Sequence, residues 1–478
     1  MEDKYQKNID QEISEIEKFF NDEAFVIMNE NFVTNESLIT TKKNIAIDFE
    51  LKLKSHIHPH DLYFKKLGFS EQFKIISKSK NFIVPPKGVT KIAGKQFEYS
   101  EVLRGEISSI YSEDFPTNVK SIFRLILIAD KNNPTTKFLG SKYSCGKTHY
   151  GLGLIKTVIN HIEFHTYRHS ENNVTFLVIE NLSVISFKEF QDICESTLKS
   201  IGFLTGNWYQ NEHYIFSYSS NLFDKIESVY YDFFGNSIIS DFEIVNPQQF
   251  RTFLETDGKK PLLTPLLFPE EILSQIISFV KSKPEFARTI ELIIEGNEIR
   301  SPLIRCSVFS VALETIVSLI HSENKSFFKP LKRADKITTL LQDLQNVIDN
   351  VKKNFNESEY SFLSKKITYL NTPFNKDKYL LAFEFLKIDL PEKLKDVLNI
   401  RNKFFHGKTP YEEGQLKTNL KDLNLEADRL HLLVSILILK YSGYRGHVKN
   451  QAGYRLEMEK VYEEKDGMEI NESALYRI

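Results

Sequence analysis

The texture of the chain changes once, near residue 260, and that change restricts it to an architecture of two unlike parts. From about residue 25 to 260, apolar residues alternate with polar ones or form short runs, as in Ile45-Ala46-Ile47-Asp48-Phe49-Glu50-Leu51-Lys52-Leu53 and His213-Tyr214-Ile215-Phe216-Ser217-Tyr218. A period of two is strand patterning. Breaks such as Pro85-Pro86-Lys87-Gly88 and Lys131-Asn132-Asn133-Pro134 suit a sandwich- or barrel-like β-rich domain with long loops. One helix interrupts it: Ser186 and Glu189 have the spacing of a capping box, and Phe187, Phe190, Cys194 and Leu198 follow at helical intervals.

Beyond the Pro-marked stretch Lys259-Lys260-Pro261-Leu262-Leu263-Thr264-Pro265 the period is helical. Apolar-periodic runs cover Pro269 to Val280 and Leu303 to Ile320, and a third places Leu331, Ala334, Ile337, Leu341, Leu344, Ile348 and Val351 on one face. Helices are also expected over Tyr379 to Leu386, Pro391 to about His406, and Leu420 to Lys440. At 478 residues the chain exceeds what one core usually supports. The expectation is a multidomain α+β protein: a β-rich domain over 1–265, connecting helices over 266–300, an all-α bundle over 301–446, and a tail over 447–478 that could fold as a hairpin.

Sixty-two Lys and Arg against 64 Asp and Glu leave a net charge of −2, so no global positive field draws the chain to nucleic acid, and any such site must be a local patch. Met1-Glu2-Asp3-Lys4-Tyr5-Gln6-Lys7 lacks the apolar core of a signal peptide. The stretch Leu430 to Leu439, read as the longest strongly apolar one, falls well short of the roughly 20 residues that span a bilayer. Three scattered cysteines, Cys145, Cys194 and Cys306, fit a reducing compartment and argue against thiolate-held zinc. A cytoplasmic protein with no membrane association is expected.

The segment Arg401-Asn402-Lys403-Phe404-Phe405-His406-Gly407 narrows the function most. A permanently charged guanidinium can grip a phosphate, and a His titrating near neutrality can move the proton of an attacking hydroxyl. Pro391 and Gly407 bracket a helix that places His406 in its last turn. At 3.6 residues per turn Arg401 and His406 project about 140° apart, so convergence needs an unwound helix end or a second copy across a twofold axis. Asn402 is i,i+4 to His406, where its amide could orient the imidazole or hold a phosphate oxygen. Lys403 and Lys408 add charge, and between Pro391 and Pro410 five basic residues outnumber Glu392 and Asp396. Cations near a helix C-terminus are also favoured by the dipole alone, which gives Arg401 and His406 a purely structural reading.

These residues resemble the HEPN superfamily and, within it, the ApeA-like antiphage defence proteins, which place a β-rich region before a C-terminal HEPN domain. The likeness covers about residues 300 to 445 and includes Arg305-Cys306-Ser307-Val308-Phe309-Ser310-Val311-Ala312-Leu313-Glu314, similar to a first HEPN helix. It implies a metal-independent, cofactor-free endoribonuclease acting in abortive infection, with active sites at the interface of a homodimer. Arg401 would stabilise the pentacovalent phosphate and His406 would serve as general base or acid. Attack by the 2′-hydroxyl of an RNA substrate, a tRNA or another cellular RNA, would leave a 2′,3′-cyclic phosphate. Asn402 would assist, Lys403 and Lys408 would bind RNA, and Glu314 would pair with Arg401. The N-terminal domain would sense a phage-derived trigger and restrain the nuclease. The rival reading is a non-catalytic HEPN module for RNA binding or dimerisation.

Three other motifs invite function. Gly140-Ser141-Lys142-Tyr143-Ser144-Cys145-Gly146-Lys147-Thr148 has five residues between its glycines where a phosphate-binding loop needs four. His56, His58, His60 and Asp61, and separately His161, Glu163, His165 and His169, could share a strand face as metal ligands or simply make it polar. Trp208, Tyr209, Tyr214, Phe216 and Tyr218 could stack bases, although core packing is the more ordinary use.

Overall fold

The computed structural model describes residues 5–21, 26–28, 38–40, 47–52, 72–76, 81–85, 88–93, 102–129, 134–233, 235–256, 266–330, 334–371, 375–405, 411, 419–462 and 472–478. The chain divides into two compact units, Met1–Ser282 and Lys283–Ile478, the first built on β-sheet and the second helical, an α+β layout in two parts.

Nine strands carry the argument for the first unit: β1 (Gln6–Lys7), β2 (Ser109–Ser112), β3 (Ile122–Ala129), β4 (Ser141–Cys145), β5 (Thr148–Ile159), β6 (Ile162–Glu171), β7 (Val174–Asn181), β8 (Glu212–Tyr218) and β9 (Ser228–Phe233). Among the described residues they join one open twelve-stranded sheet in the order β1-β4-β5-β6-β7-β3-β8-β9-β2, continued by Asn81–Val84, Phe73–Ile76 and Val26–Met28. Leu38–Thr40, Ile47–Lys52, Val102–Ile107 and Val89–Ala93 form a second sheet of four. The β1–β4 pair is parallel, and the other register-matched pairs of the large sheet are antiparallel.

Strand β3 lies in mid-sheet and is buried along most of its length, which is why its sequence reads as a continuous apolar run rather than an alternation. Phe123 packs against Phe187 and Phe190 of helix α2 (Phe187–Thr205), with ring centroids 5.8 and 5.2 Å apart. Ser186 caps α2 as its spacing predicts, accepting a hydrogen bond from the Glu189 amide at 3.3 Å. The next residues of β3, Arg124 and Ile126, point the other way; Ile126 shares a core with Ile9 and with Ile16 of helix α1 (Asp10–Asn21).

Helix α3 (Pro247–Thr256) precedes 257–265, so the Pro-marked boundary stretch lies outside the described residues. Helix α4 (Glu270–Ser282), expected to act as a connector, instead packs on α2 and β5, and its buried stripe of Leu273, Ile276, Ile277 and Val280 makes it part of the β-rich unit.

The helical unit contains α5 (Pro284–Glu298), α6 (Pro302–Glu323), α7 (Ala334–Asn350), α8 (Glu357–Thr368), α9 (Asn375–Phe385), α10 (Glu392–Phe405), α11 (Leu420–Tyr441) and α12 (Gln451–Tyr462). Helix α6 is its axis, with α5, α9, α10 and α11 packed around it. That burial accounts for its composition, which is long and apolar enough to cross a bilayer. Gly296 lets α5 approach this closely, since a Cβ there would meet the Phe309 ring at 2.5 Å. Arg305 of α6 donates to Asp428 of α11 at 2.5 Å, and Arg455 of α12 donates to the same carboxylate at 3.0 Å. The stretch after residue 446 is no loose tail. His447–Lys449 pairs antiparallel with Leu475–Arg477, and α12 between them buries Ala452 and Leu456 against Leu425.

His431 of α11 is fully enclosed, edge-to-face with Phe309 at 5.4 Å, and burial, with Arg305 and Lys449 nearby, lowers its pKa to about 3. The unfolded chain binds this proton near pH 6.5 and the folded one does not. The stability His431 contributes is therefore complete above about pH 6.5 and is lost as pH falls toward 3, by roughly 4–5 kcal/mol in all. His431→Leu should accordingly narrow the gap in thermal stability of the helical unit between pH 7 and pH 4. An equal gap in both proteins would contradict this.

Candidate functional site

Helix α10 presents Leu394, Val397, Leu398, Arg401 and Phe404 as one buried stripe at i, i+3, i+4, i+7 and i+10. The Ser307 hydroxyl of α6 fixes the far end of this stripe by donating to the Phe404 carbonyl at 2.8 Å. Arg401 thus occupies a core register and is only 3% exposed. Asn402 and Lys403 face outward from the same helix. His406, Gly407 and Lys408 lie outside the described residues, so Arg401, Asn402 and Lys403 are the predicted site residues that can be placed.

The Arg401 guanidinium lies 3.3 Å from the centre of the Tyr379 ring, from α9, at van der Waals contact with its π face. The exposed Glu314 carboxylate of α6 is an electrostatic neighbour of the Tyr379 hydroxyl. Burial pulls the Arg401 pKa down, and Tyr379 and Glu314 act against that by favouring the charged form. Burial, with Glu314 nearby, pushes the Tyr379 hydroxyl up to about 12. Lys378, adjacent on α9, donates to Ser318 of α6 at 3.1 Å, and its pKa is lowered by burial and by Arg401 against the pull of Glu314. The buried Arg401 Nε has no hydrogen-bond partner among the described residues. The result is a cation held flat by an aromatic ring, with polar capacity left over.

Glu314 is therefore an electrostatic neighbour of both Arg401 and Tyr379. Sequence reasoning passed over Tyr379 and Lys378 because α9 has no amphipathic periodicity to mark its faces. The expected basic patch is thinner than its composition. Lys393 pairs with Glu472 at 3.8 Å, Lys395 with Glu392 at 2.9 Å, and Arg401 is internal, which leaves Lys403 as the outward-facing cation outside these pairs among the described residues of α10.

The stack has a separable energetic signature. Tyr379→Leu should cost the helical unit about 2 kcal/mol or more, from the lost cation–π contact and a less supported buried charge. Tyr379→Phe, which keeps the ring, should cost less than about 1 kcal/mol. Thermal unfolding compares the two, and equal losses would mean that the hydroxyl, not the ring, supports Arg401.

The other motifs resolve into structure. Gly140–Thr148 supplies β4 and a tight turn into β5, with Gly146 at φ +56°. His161 sits in the two-residue turn between β5 and β6 at φ +67°. His165 contacts Glu163 through Nε2 at 2.8 Å and Lys7 through Nδ1 at 2.9 Å. Among the described residues no three His, Cys, Asp or Glu side chains are grouped to hold a metal ion. The set His56, His58, His60 and Asp61 lies outside the described residues. Tyr209, Tyr214, Phe216 and Tyr218 are buried in the β-rich unit, so these rings are core and not a stacking platform.

Compared with family models, curated proteins and solved structures, the chain matches none.

Proposed function

We propose that the chain is a metal-independent endoribonuclease of the HEPN type, cytoplasmic and homodimeric, serving antiphage defence by abortive infection. The observation that carries this reading is Arg401. Burying a guanidinium without a full set of partners costs stability, and such departures from local packing rules concentrate where function uses the group. Here the group sits five positions before His406, on a helix whose end is tied to α6. In the proposed reaction Arg401 neutralises the phosphate as charge builds on it. His406 moves the proton of the attacking 2′-hydroxyl or of the leaving 5′-oxygen. The 140° between the two on a regular helix is met by drawing one from each protomer.

The test is cleavage of cellular RNA by purified protein in EDTA, with a phage plating assay alongside. Wild type cuts, and both Arg401→Ala and His406→Ala are silent; cutting that survives both substitutions would remove the site from the mechanism. The β-rich unit is proposed to hold the nuclease to a low basal rate, readable with purified protein, until a phage-derived trigger raises it, because an unrestrained ribonuclease would kill its host. Expression of Lys283–Ile478 alone should then be more toxic than the full chain. The deep burial of Arg401 also favours a second reading, a non-catalytic HEPN module in which Arg401 only stitches α9 to α10. Phage protection indifferent to both substitutions would select that reading.

A further inference from the structure

Helices α7 and α8 form an antiparallel hairpin held by polar contacts: Gln345 donates to the Tyr360 and Ser364 hydroxyls at 3.3 and 3.2 Å, and Tyr360 donates to Asp349 at 2.6 Å. At its tip, Asn356 and Glu359 close a reciprocal capping box that fixes where α8 begins. Beside that turn lies an open groove of about 860 Å³, lined by residues of the turn and one flank of α8. Its charged residues are Lys352, Lys353 and Lys365 against the single carboxylate of Glu357, so the groove is locally cationic on a chain whose net charge is −2. Phe355 lines it at 37% exposure, and Tyr360 lines it with the Lys352 ammonium 4.7 Å from its ring centre.

Lysines alone would be an ordinary solvated surface. Lysines set around a half-exposed phenyl ring, with Ser361 and Thr368 hydroxyls along the same wall, combine the two elements that bind an unpaired nucleic acid strand: charge for phosphates and a ring for a base face. A duplex keeps its base faces stacked inside and offers the ring nothing.

We infer that this groove is a binding site for single-stranded RNA, an anchoring site for substrate distinct from the Arg401 cluster. It rests on the proposed ribonuclease reading for its biological sense, but the binding can be measured without cleavage. The probe is a fluorescent single-stranded oligonucleotide with 2′-O-methyl groups throughout, which cannot form the cyclic phosphate, titrated by anisotropy against the full-length protein. Lys352→Glu with Lys365→Glu should weaken binding about tenfold or more at physiological salt and lower the salt slope by about 1.4, the loss of two phosphate contacts on a single strand. Phe355→Ala should weaken binding about fivefold or more and leave the salt slope unchanged.

Arg401→Ala should abolish cleavage of ordinary RNA, while the groove substitutions made on that background should still weaken probe binding by the same factors. The groove assignment is overturned if both groove variants bind as wild type does, or if a duplex of the same sequence binds as tightly with Phe355→Ala silent. Loss of probe binding in Arg401→Ala alone would likewise transfer the site to the Arg401 cluster. Failure of the ribonuclease reading shows separately, as cleavage that ignores Arg401 and His406. All three groove residues are exposed, and matching melting temperatures confirm that the variants are folded.

Discussion

Arg124→Ala is expected to destabilise the β-rich unit by about 3–5 kcal/mol, a large share of the 5–15 kcal/mol that typically holds a domain together. Arg124 lies in mid-sheet on β3, 1% exposed, and bonds four ways: to Glu180 of β7 at 2.8 Å, to Glu12 of α1, to the Asn8 carbonyl at 2.8 Å, and by its flat face to Phe223 at 3.9 Å. Glu180 also accepts from Tyr167 at 3.0 Å and from Lys7, and Glu12 accepts from Tyr218. Burial alone would raise the Glu180 pKa, but Arg124, His165 and Lys7 hold it well below the usual carboxylate range. Deleting Arg124 leaves two carboxylates in an apolar interior with Lys7 as the remaining strong cation. The damage comes from those stranded charges more than from the lost pair.

A triple variant, Arg124→Met with Glu12→Gln and Glu180→Gln, should therefore recover much of the loss. The sign with pH also follows. Glu180 is depressed in the fold, so its contribution is complete above about pH 4.3 and lost as pH falls below it. Thermal unfolding of wild type, Arg124→Ala and the triple variant decides; an Arg124→Ala protein as stable as wild type would show that the network contributes nothing.

The second large effect is chemical. Arg401→Ala and His406→Ala are each expected to reduce metal-free RNA cleavage by about 10²–10⁴, the range for a positioned proton-transfer group and for a charge-stabilising one. The two losses should not add, because a phosphate that is not gripped is not placed for the proton transfer. Arg401→Lys is an informative companion. It keeps the charge but loses the plane that lies on Tyr379, so it should recover little of the activity. Full recovery would mean that charge alone matters and that the Tyr379 stack is incidental.

How much of this was legible in the sequence depends on the range of the interaction. Local signals read well: the Ser186 cap and the start of α10 after Pro391 both appear where their spacing puts them. The burial of Arg401 was also within reach, since Leu394, Val397, Leu398 and Phe404 put it on the apolar stripe. A basic residue on such a stripe reads as surface until the stripe is drawn. The Arg124 network was not legible, because its members Lys7, Glu12, Arg124 and Glu180 meet across separations of 56 to 173 residues, for which no local period exists. By sequence Leu430 to Leu439 reads as the longest strongly apolar stretch, whereas α6 is longer and apolar enough to span a bilayer, a composition that its packing against α5, α9, α10 and α11 explains.

The central claim turns on the ends of the cut RNA. Purified full-length protein is incubated with a defined RNA in EDTA and the products are resolved by mass spectrometry, with Arg401→Ala as control. The account predicts a 2′,3′-cyclic phosphate on the upstream fragment and a 5′-hydroxyl on the downstream one, both absent with the variant. A 3′-hydroxyl with a 5′-phosphate would mean that water and not the 2′-hydroxyl attacks, and would contradict it.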